Sequence, residues 1–404
     1  MIETKFKQTE FGVIPEGWQE SSLSDVLKDF TTGATPYRGI KDFYSGFIPW
    51  VSSGELNYNL IKDTNEHITE VARQKTNLKL YPAGTFLMAI TGLEAEGTRG
   101  KCAILGTSAT TNQSCLALSS TDKMIVDYWF YFYQFWSDWY AFRFSQGTKQ
   151  QSYKADIVRK FPVIFPSDIK EQQRIAEALS NIDNLISSLS KIIEKKRLIK
   201  QGAMQQLLTG KKRLPGFDGE WEEDTLGNIC LIIMGQSPSS TFYNTKSIGL
   251  PLIQGNADMK NRKSIIRFYT SRITKTCNAN DIIMTVRAPV GSVGKASYES
   301  CIGRGVCAIR TSNDFLYHYL IYIEDSWQEF SKGSTFDSIN SKELSECSVF
   351  LPKDEGEQFA IANILTSMDN EIESLEEERD KYIQLKEGMM QKLLTGHIRL
   401  VNKA

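Results

Sequence analysis

At 404 residues, 41% hydrophobic and 24% charged, the chain has the composition of an ordinary water-soluble protein, long enough for two or three domains with substantial cores. No apolar run is long enough to cross a bilayer and Met1-Ile2-Glu3-Thr4-Lys5 carries no hydrophobic signal region, so a cytoplasmic location is expected. The net charge of −1 excludes a global basic signature; a nucleic-acid partner would have to be held by local patches.

In chain order, Gly17-Trp18 and Leu23 open a first segment, followed by a turn at Gly33-Ala34-Thr35-Pro36 and a short strand at Ile48-Pro49-Trp50-Val51. A β-rich apolar run at 84–90 leads into a polar, glycine-bearing loop at 91–101, and a further strand is predicted at 115–118. The aromatic run 128–136, with Trp139 and Tyr140, reads as a helix whose rings pack a core, although rings of this kind can also stack on bases. A Phe-Ser-x-Gly-Thr loop at 144–148 closes the segment.

A long helix is predicted next. Pro166 precedes Asp168-x-x-Glu171, a cap in which Asp168 accepts from first-turn amides and Glu171 reaches back. Ile175, Leu179, Ile182, Ile186, Leu189 and Ile193 then follow alternating four-and-three spacing, the seam of a coiled coil. Leu207-Leu208-Thr209-Gly210 ends it, with Gly210 placed to turn left-handed.

The same order then recurs. Glu220-Trp221 and Leu226, Gly235-Gln236-Ser237-Pro238, Leu250-Pro251-Leu252-Ile253, the apolar run 280–286, the loop 287–295, the strand 306–309, the partly aromatic segment 315–322 and a Phe-Ser-x-Gly-Ser loop at 330–334 repeat the first half faintly. The second helix repeats the first closely. Pro352 precedes Asp354-x-x-Glu357; Ile361, Leu365, Met368, Ile372, Leu375 and Tyr382 mark the seam; Leu393-Leu394-Thr395-Gly396 is the stop. Between the two helical segments the offset is 186 residues from start to end, without a gap, and about 21 of 45 positions match between 170–214 and 356–400. Residues 161–214 hold ten Lys/Arg against five Asp/Glu, whereas 353–404 hold seven against eleven. Helices of about 40 residues would run roughly 60 Å, and one apolar stripe of that length needs a partner. Opposite charge favours the other copy, with Lys191, Lys195, Lys196 and Arg197 facing the acidic stretch 371–380. Helices of another protein are a compatible second partner.

Chemistry is not specified by any motif. Gly100-Lys101 and Gly294-Lys295 lack the remaining glycine and the Ser/Thr of a phosphate-binding loop, and neither a dinucleotide fingerprint nor an Asn-Pro-Pro-aromatic methyltransferase tetrapeptide occurs. His67, His318 and His397 lie on unrelated segments. The seven cysteines include no C-x-x-C pair, so reduced, mostly buried thiols are expected, with no metal site and no cofactor.

Two diverged α/β segments, each followed by a long helix that opens near Glu-Gln and closes at Gln-x-Leu-Leu-Thr-Gly, together with Ile14-Pro15-Glu16-Gly17-Trp18, resemble the specificity subunit of a type I restriction–modification system over nearly the whole chain. The resemblance implies a mixed α/β (α+β) fold with pseudo-two-fold symmetry, in which an antiparallel coiled coil of two helices separates two similar target-recognition domains. On this basis the expected parts are recognition domains at 1–165 and 215–351 and spacer helices at 166–214 and 352–404. It also implies a non-catalytic chain bound to double-stranded DNA and to methyltransferase subunits, two of them expected, with a restriction (translocase) subunit in the full complex. Each domain would read one half of a bipartite, asymmetric site on DNA.

Arg, Lys, Asn and Gln on the loops are the residue types that pair with base edges and phosphates. The candidates are Arg38, Arg99, Lys101, Lys149, Gln150, Gln151 and Lys154 in the first domain. In the second they are Lys260, Asn261, Arg262, Lys263, Arg287, Lys295 and Arg304. Three alternatives remain open: a two-domain coiled-coil adaptor that never touches nucleic acid, the specificity module of a related methyltransferase system, and an enzyme with a concealed nuclease or methyltransferase site.

Overall fold

The computed structural model describes residues 6–94, 97–147, 151–327 and 338–401. The chain divides into two compact units, residues 1–188 with 378–404 and residues 189–377, so that each long helix begins in one unit and ends in the other.

In the first unit, strand Trp18–Ser22 pairs antiparallel with Pro162–Pro166 and ties the start of the domain to its end. Between them lies a five-stranded sheet in the spatial order Lys28–Thr32, Cys115–Ser119, Phe86–Ala89, Cys102–Leu105 and Asn59–Ile61. The strand Phe86–Ala89 is buried on both faces, which is why its sequence is a continuous apolar run without alternation. Phe86, Met88, Leu116 and Leu118 belong to the core that holds the helix Val126–Phe144. Leu87, Ala89, Cys115 and Ala117 face a second cluster with Val51, Leu56 and Tyr81. Successive residues thus serve opposite faces, as the pleat requires. A smaller sheet joins Thr110–Thr111, Ile48–Val51 and His67–Ile68, its first pair parallel.

The aromatic run is core. Tyr128, Trp129, Phe132, Tyr133 and Tyr140 are buried; Trp129 meets Phe86 edge-on at 6.2 Å and Tyr140 stacks on Phe161 at 4.4 Å. Truncating one such ring removes about 3–5 kcal/mol of packing, and rings held this way do not reach a base.

The second unit builds the same plan. Trp221–Thr225 pairs with Ser348–Pro352. Its main sheet has the order Leu231–Met234, Val306–Arg310, Ile282–Thr285, Val293–Lys295, Lys263–Ser264 and Met259–Lys260, one strand more than the first unit at the far edge. Its smaller sheet runs Tyr243–Asn244, Phe268–Thr270, Leu250–Ile253, Ser300–Ile302 and Thr276–Cys277. The helix equivalent to the aromatic one, Phe315–Tyr322, spans 8 residues against 19.

The long helices span Ile169–Leu207 and Glu355–Leu393, 39 residues each. Asp168 and Asp354 cap as expected, their carboxylates accepting from Lys170 and Gly356 N–H at 2.9 and 2.7 Å. Gly210 and Gly396 take φ of +67° and +75° just past the ends.

Glu171 does not reach back to its own cap. Its fully buried carboxylate receives a bidentate pair from Arg399 at 2.6 and 2.7 Å. Glu357 is held identically by Arg213, again at 2.6 and 2.7 Å. A forked cation satisfies both carboxylate oxygens at once, which a single backbone N–H cannot.

The apolar stripe is not a seam along its whole length. Ile175 and Leu179 belong to the first domain's core together with Leu393 and Leu394. Ile361 and Leu365 belong to the second's, with Leu207 and Leu208. Ile182, Leu189, Ile193 and Ile372 are buried farther along; Ile186, Met368, Leu375 and Tyr382 are half-buried.

Ion pairs flank the stripe within each unit. In the second unit they are Lys196 with Glu371 at 2.6 Å, Arg197 with Glu376 and Lys200 with Asp369; in the first, Lys386 with Asp183 at 2.7 Å. In the second unit Lys196, Lys200 and Arg213 meet Glu371, Asp369 and Glu357 in turn, and in the first Glu171 and Asp183 meet Arg399 and Lys386, so the helix segments run antiparallel in each. Lys196 and Arg197 pair as expected; Lys200 and Lys386 do the same without having been singled out.

Candidate nucleic-acid interface

Strand registers make positions in the two domains equivalent. Thr110 and Thr111 pair parallel with Trp50 and Val51; Cys301 and Ile302 pair parallel with Leu252 and Ile253. Counting on from those pairs, Asn112 and Gln113 correspond to Gly303 and Arg304. Ile90 N–H donates to Ser114 O and Val286 N–H to Gly305 O, at 3.0 and 2.9 Å, so Thr91 corresponds to Arg287. Thr91 and Arg287 in turn bridge Ser152 and Ser338.

Four loops therefore meet at one end of each pair of sheets. Gly33 brings the first loop against the fourth so closely that a Cβ there would lie 1.7 Å from Thr111 O; at Gly235 it would lie 2.1 Å from Gly303 O. Only glycine permits that approach. The next residue's amide completes the contact: Ala34 N–H donates to Thr111 O at 3.1 Å, Gln236 N–H to Ile302 O at 2.9 Å. Buried or half-buried carboxylates fix the second loop. Ser52 and Asn65 N–H both donate to Glu55 at 2.8 Å, and Gln254 and Gly255 N–H donate to Asp258 at 2.7 and 3.2 Å.

In the second domain the four loops surround a cleft of about 170 Å³ lined by Ser237, Gln254, Asn256, Arg287 and Arg304 among others. Ser237 Oγ accepts from Arg304 N–H at 3.0 Å, fixing the backbone from which that side chain projects. Arg287 and Arg304 are exposed, and neither has an ion pair among the described residues. In the first domain Thr35 Oγ1 donates to Gln113 Oε1 at 2.7 Å on the same rim.

The remaining candidates lie elsewhere. Arg38 pairs with Glu66 in a bidentate clamp, its second contact 2.8 Å, and lies over Tyr44 and Trp50 at 4.3 and 5.1 Å. The pair pushes the guanidinium pKa up and holds Glu66 below the usual carboxylate range. Arg99 donates to the carbonyls of Leu93 and Glu94 at 2.9 and 3.2 Å, stacks on Phe142 and is 17% exposed. It ties down its own loop. Lys101 bonds Asn57 Oδ1 and lies over Tyr58 at 5.2 Å. Gln151 N–H donates to Glu94 at 2.9 Å, Lys154 is exposed at the start of the short helix Ala155–Val158, and Lys149 and Gln150 fall outside the described residues.

Residues 260–263 form a hairpin whose turn places Asn261 and Arg262 at φ of +50° and +58°. Arg262 donates to Val293 O at 2.9 Å and pairs with Glu324 at 2.6 Å, while Lys263 pairs with Glu373 of the C-terminal helix. Lys260 is exposed on the same hairpin. Lys295 pairs with Asp314 at 2.7 Å over the Tyr317 ring. Of the fourteen candidates, then, Arg287 and Arg304 are brought to one cleft, whereas Arg38, Arg99, Arg262, Lys263 and Lys295 pair with neighbouring carboxylates. Thr35, Gln113, Ser237, Gln254 and Asn256 share the two rims but were not singled out, although the matched Gly33-Ala34-Thr35-Pro36 and Gly235-Gln236-Ser237-Pro238 turns already marked the place.

Among the described residues no group of three or more His, Cys, Asp and Glu could hold a metal ion. Burial pushes the Cys307 thiol up to about 12 and the Cys277 and Cys230 thiols up to about 11, away from nucleophilic use. No described helix is long and apolar enough to cross a membrane.

A family model, the type I restriction modification DNA specificity domain, matches the chain twice, at residues 15–197 and 218–385. The putative type I restriction enzyme MjaX specificity subunit of Methanocaldococcus jannaschii is 30% identical, covering 98% of this chain and 97% of that protein. The MjaVIII specificity subunit of the same organism is 22% identical over 99% of this chain and 97% of its own length. In fold, the chain is similar to the crystal structure of a type I restriction-modification S subunit from M. genitalium, with a TM-score of 0.67 at 16% identity over 97% of this chain and 98% of that one. Duplicated rims on duplicated domains, joined by matched helices and matched twice by one family model, identify the chain as a member of the type I restriction–modification DNA specificity family, a specificity subunit with two recognition domains.

Proposed function

We propose that this subunit reads a bipartite, asymmetric double-stranded DNA site, one half-site per domain, and that it carries no catalytic step itself. The observation that carries this is the rim built twice on equivalent strands and lined differently: Thr35, Thr91 and Gln113 in one domain, Ser237, Arg287 and Arg304 in the other. A scaffold kept while its contact side chains change is what two different half-sites require. Lys154 and Lys260, exposed and without an ion pair among the described residues, suit phosphate contacts, whereas Arg99 and Arg262 act by holding loops. Methyltransferase subunits, two by the symmetry of the repeat, supply modification, and a restriction subunit joins through them; all would work in the cytoplasm, where the DNA is.

An adaptor that never touches DNA is separated from this reading by one titration. The subunit, assembled with its methyltransferase subunits, is mixed with labelled duplex at rising salt. Specific DNA binding predicts affinity falling linearly in log–log form; an affinity too weak to detect at 50 mM salt supports the adaptor.

A further inference from the structure

Resting on that reading, we infer that Gln113 and Arg304 are the equivalent base-reading positions of the two domains. The first then demands adenine, and the second guanine, at the matching place in its half-site. The two residues occupy the same register position, three beyond the parallel pairs Thr110 with Trp50 and Cys301 with Leu252. Both are exposed at the rim where four loops converge. Both are also held from the first loop. Thr35 Oγ1 donates to the Gln113 amide oxygen at 2.7 Å, and Ser237 Oγ accepts the Arg304 N–H at 3.0 Å.

The chemistry of the pair decides between two roles. A phosphate is the same group in every half-site, so a phosphate contact gives no reason for the side chain at one position to differ between the domains. This position exchanges a neutral amide for a guanidinium, which changes the base recognised while leaving the frame intact. The amide offers one donor and one acceptor, matching adenine N7 and N6–H; the guanidinium offers donors alone, matching guanine N7 and O6. Thr35 occupies one lone pair of the Gln113 oxygen and leaves the other, with the amide N–H, for the base. Arg287 on the same cleft, where the first domain has Thr91, adds a second cation only on the guanine-reading side.

The experiment is methylation mapping of the complete methyltransferase complex on a randomised DNA library, with the wild-type subunit, R304Q and Q113R. R304Q is expected to move one base of one half-site from G to A, with discrimination against other bases at that place changing about 10-fold to 100-fold. Q113R is expected to move one base of the other half-site from A to G, leaving the gap unchanged. An unaltered motif in both variants overturns the assignment, as does a uniform loss of methylation at all sites with base preference intact, which marks a phosphate contact. Co-purification of each variant with the methyltransferase subunits checks assembly; if one variant fails to assemble, the other decides alone. A wild-type map without two separated half-sites would instead count against the bipartite reading itself, so the two failures are distinct.

Discussion

Arg213 and Arg399 stand 186 residues apart and make the same bidentate contact with Glu357 and Glu171, both fully buried. Sequence identity at this place in the repeat was visible, but its meaning was not: the two members of each pair lie 144 and 228 residues apart. Removing the cation leaves a carboxylate inside the domain with no equal partner, whereas the exposed part of the arginine discounts the loss. R399A should lower the stability of the first unit by about 2 kcal/mol, read by chemical denaturation. A cost below about 0.5 kcal/mol would mean that water replaces the arginine.

His318 provides a second test at this scale. It is buried, its Nε2 is 2.9 Å from Thr366 Oγ1, and burial with nearby Lys200 lowers its pKa from 6.5 to about 3. The folded ring stays neutral while the unfolded ring takes a proton below 6.5, so acid favours unfolding. The loss grows from pH 6.5 down to about 3, by up to about 1.4 kcal/mol per pH unit for one proton. H318Q should flatten this part of the stability profile, measured as the difference between variant and wild type at pH 7 and pH 5. Parallel profiles would contradict the assignment.

At the scale of elements, the long helices were legible because local rules suffice for them: a proline, an Asp cap, an apolar stripe and a terminal glycine all act within a few residues. The sheets were legible as apolar runs with a repeated order, yet their registers were not, because a register is set by partners far apart in sequence. For that reason Arg99 and Lys263 looked like free loop cations, and only the fold shows Leu93 and Glu94 carbonyls or Glu373 answering them. Gln113, equally ordinary in sequence, gains its place from the pairing of Thr110 with Trp50. The helices also test the spacer role directly. Inserting one heptad after Leu189 and one after Leu375, offset by the same 186 residues, keeps both stripes in phase and adds ~10 Å. The preferred gap should grow by about three base pairs at 3.4 Å each, read by methylation of substrates with graded gaps. An unchanged optimum would remove the helices as the measure of the gap.

For the whole molecule, a net charge of −1 agrees with recognition by two small rims better than with a broad basic surface. The chain repeats its domain plan, its helix caps and its buried Glu–Arg pairs, and changes the side chains at the rims. On the proposed reading, the information lies in those few loop positions on a duplicated frame. The most direct measurement is single-molecule methylation mapping of a genome expressing this subunit with its methyltransferase subunits. Two short, different half-sites separated by a fixed number of unspecified base pairs, absent when the subunit is omitted, are the expected result. A single continuous motif, or methylation that persists without the subunit, would contradict the account.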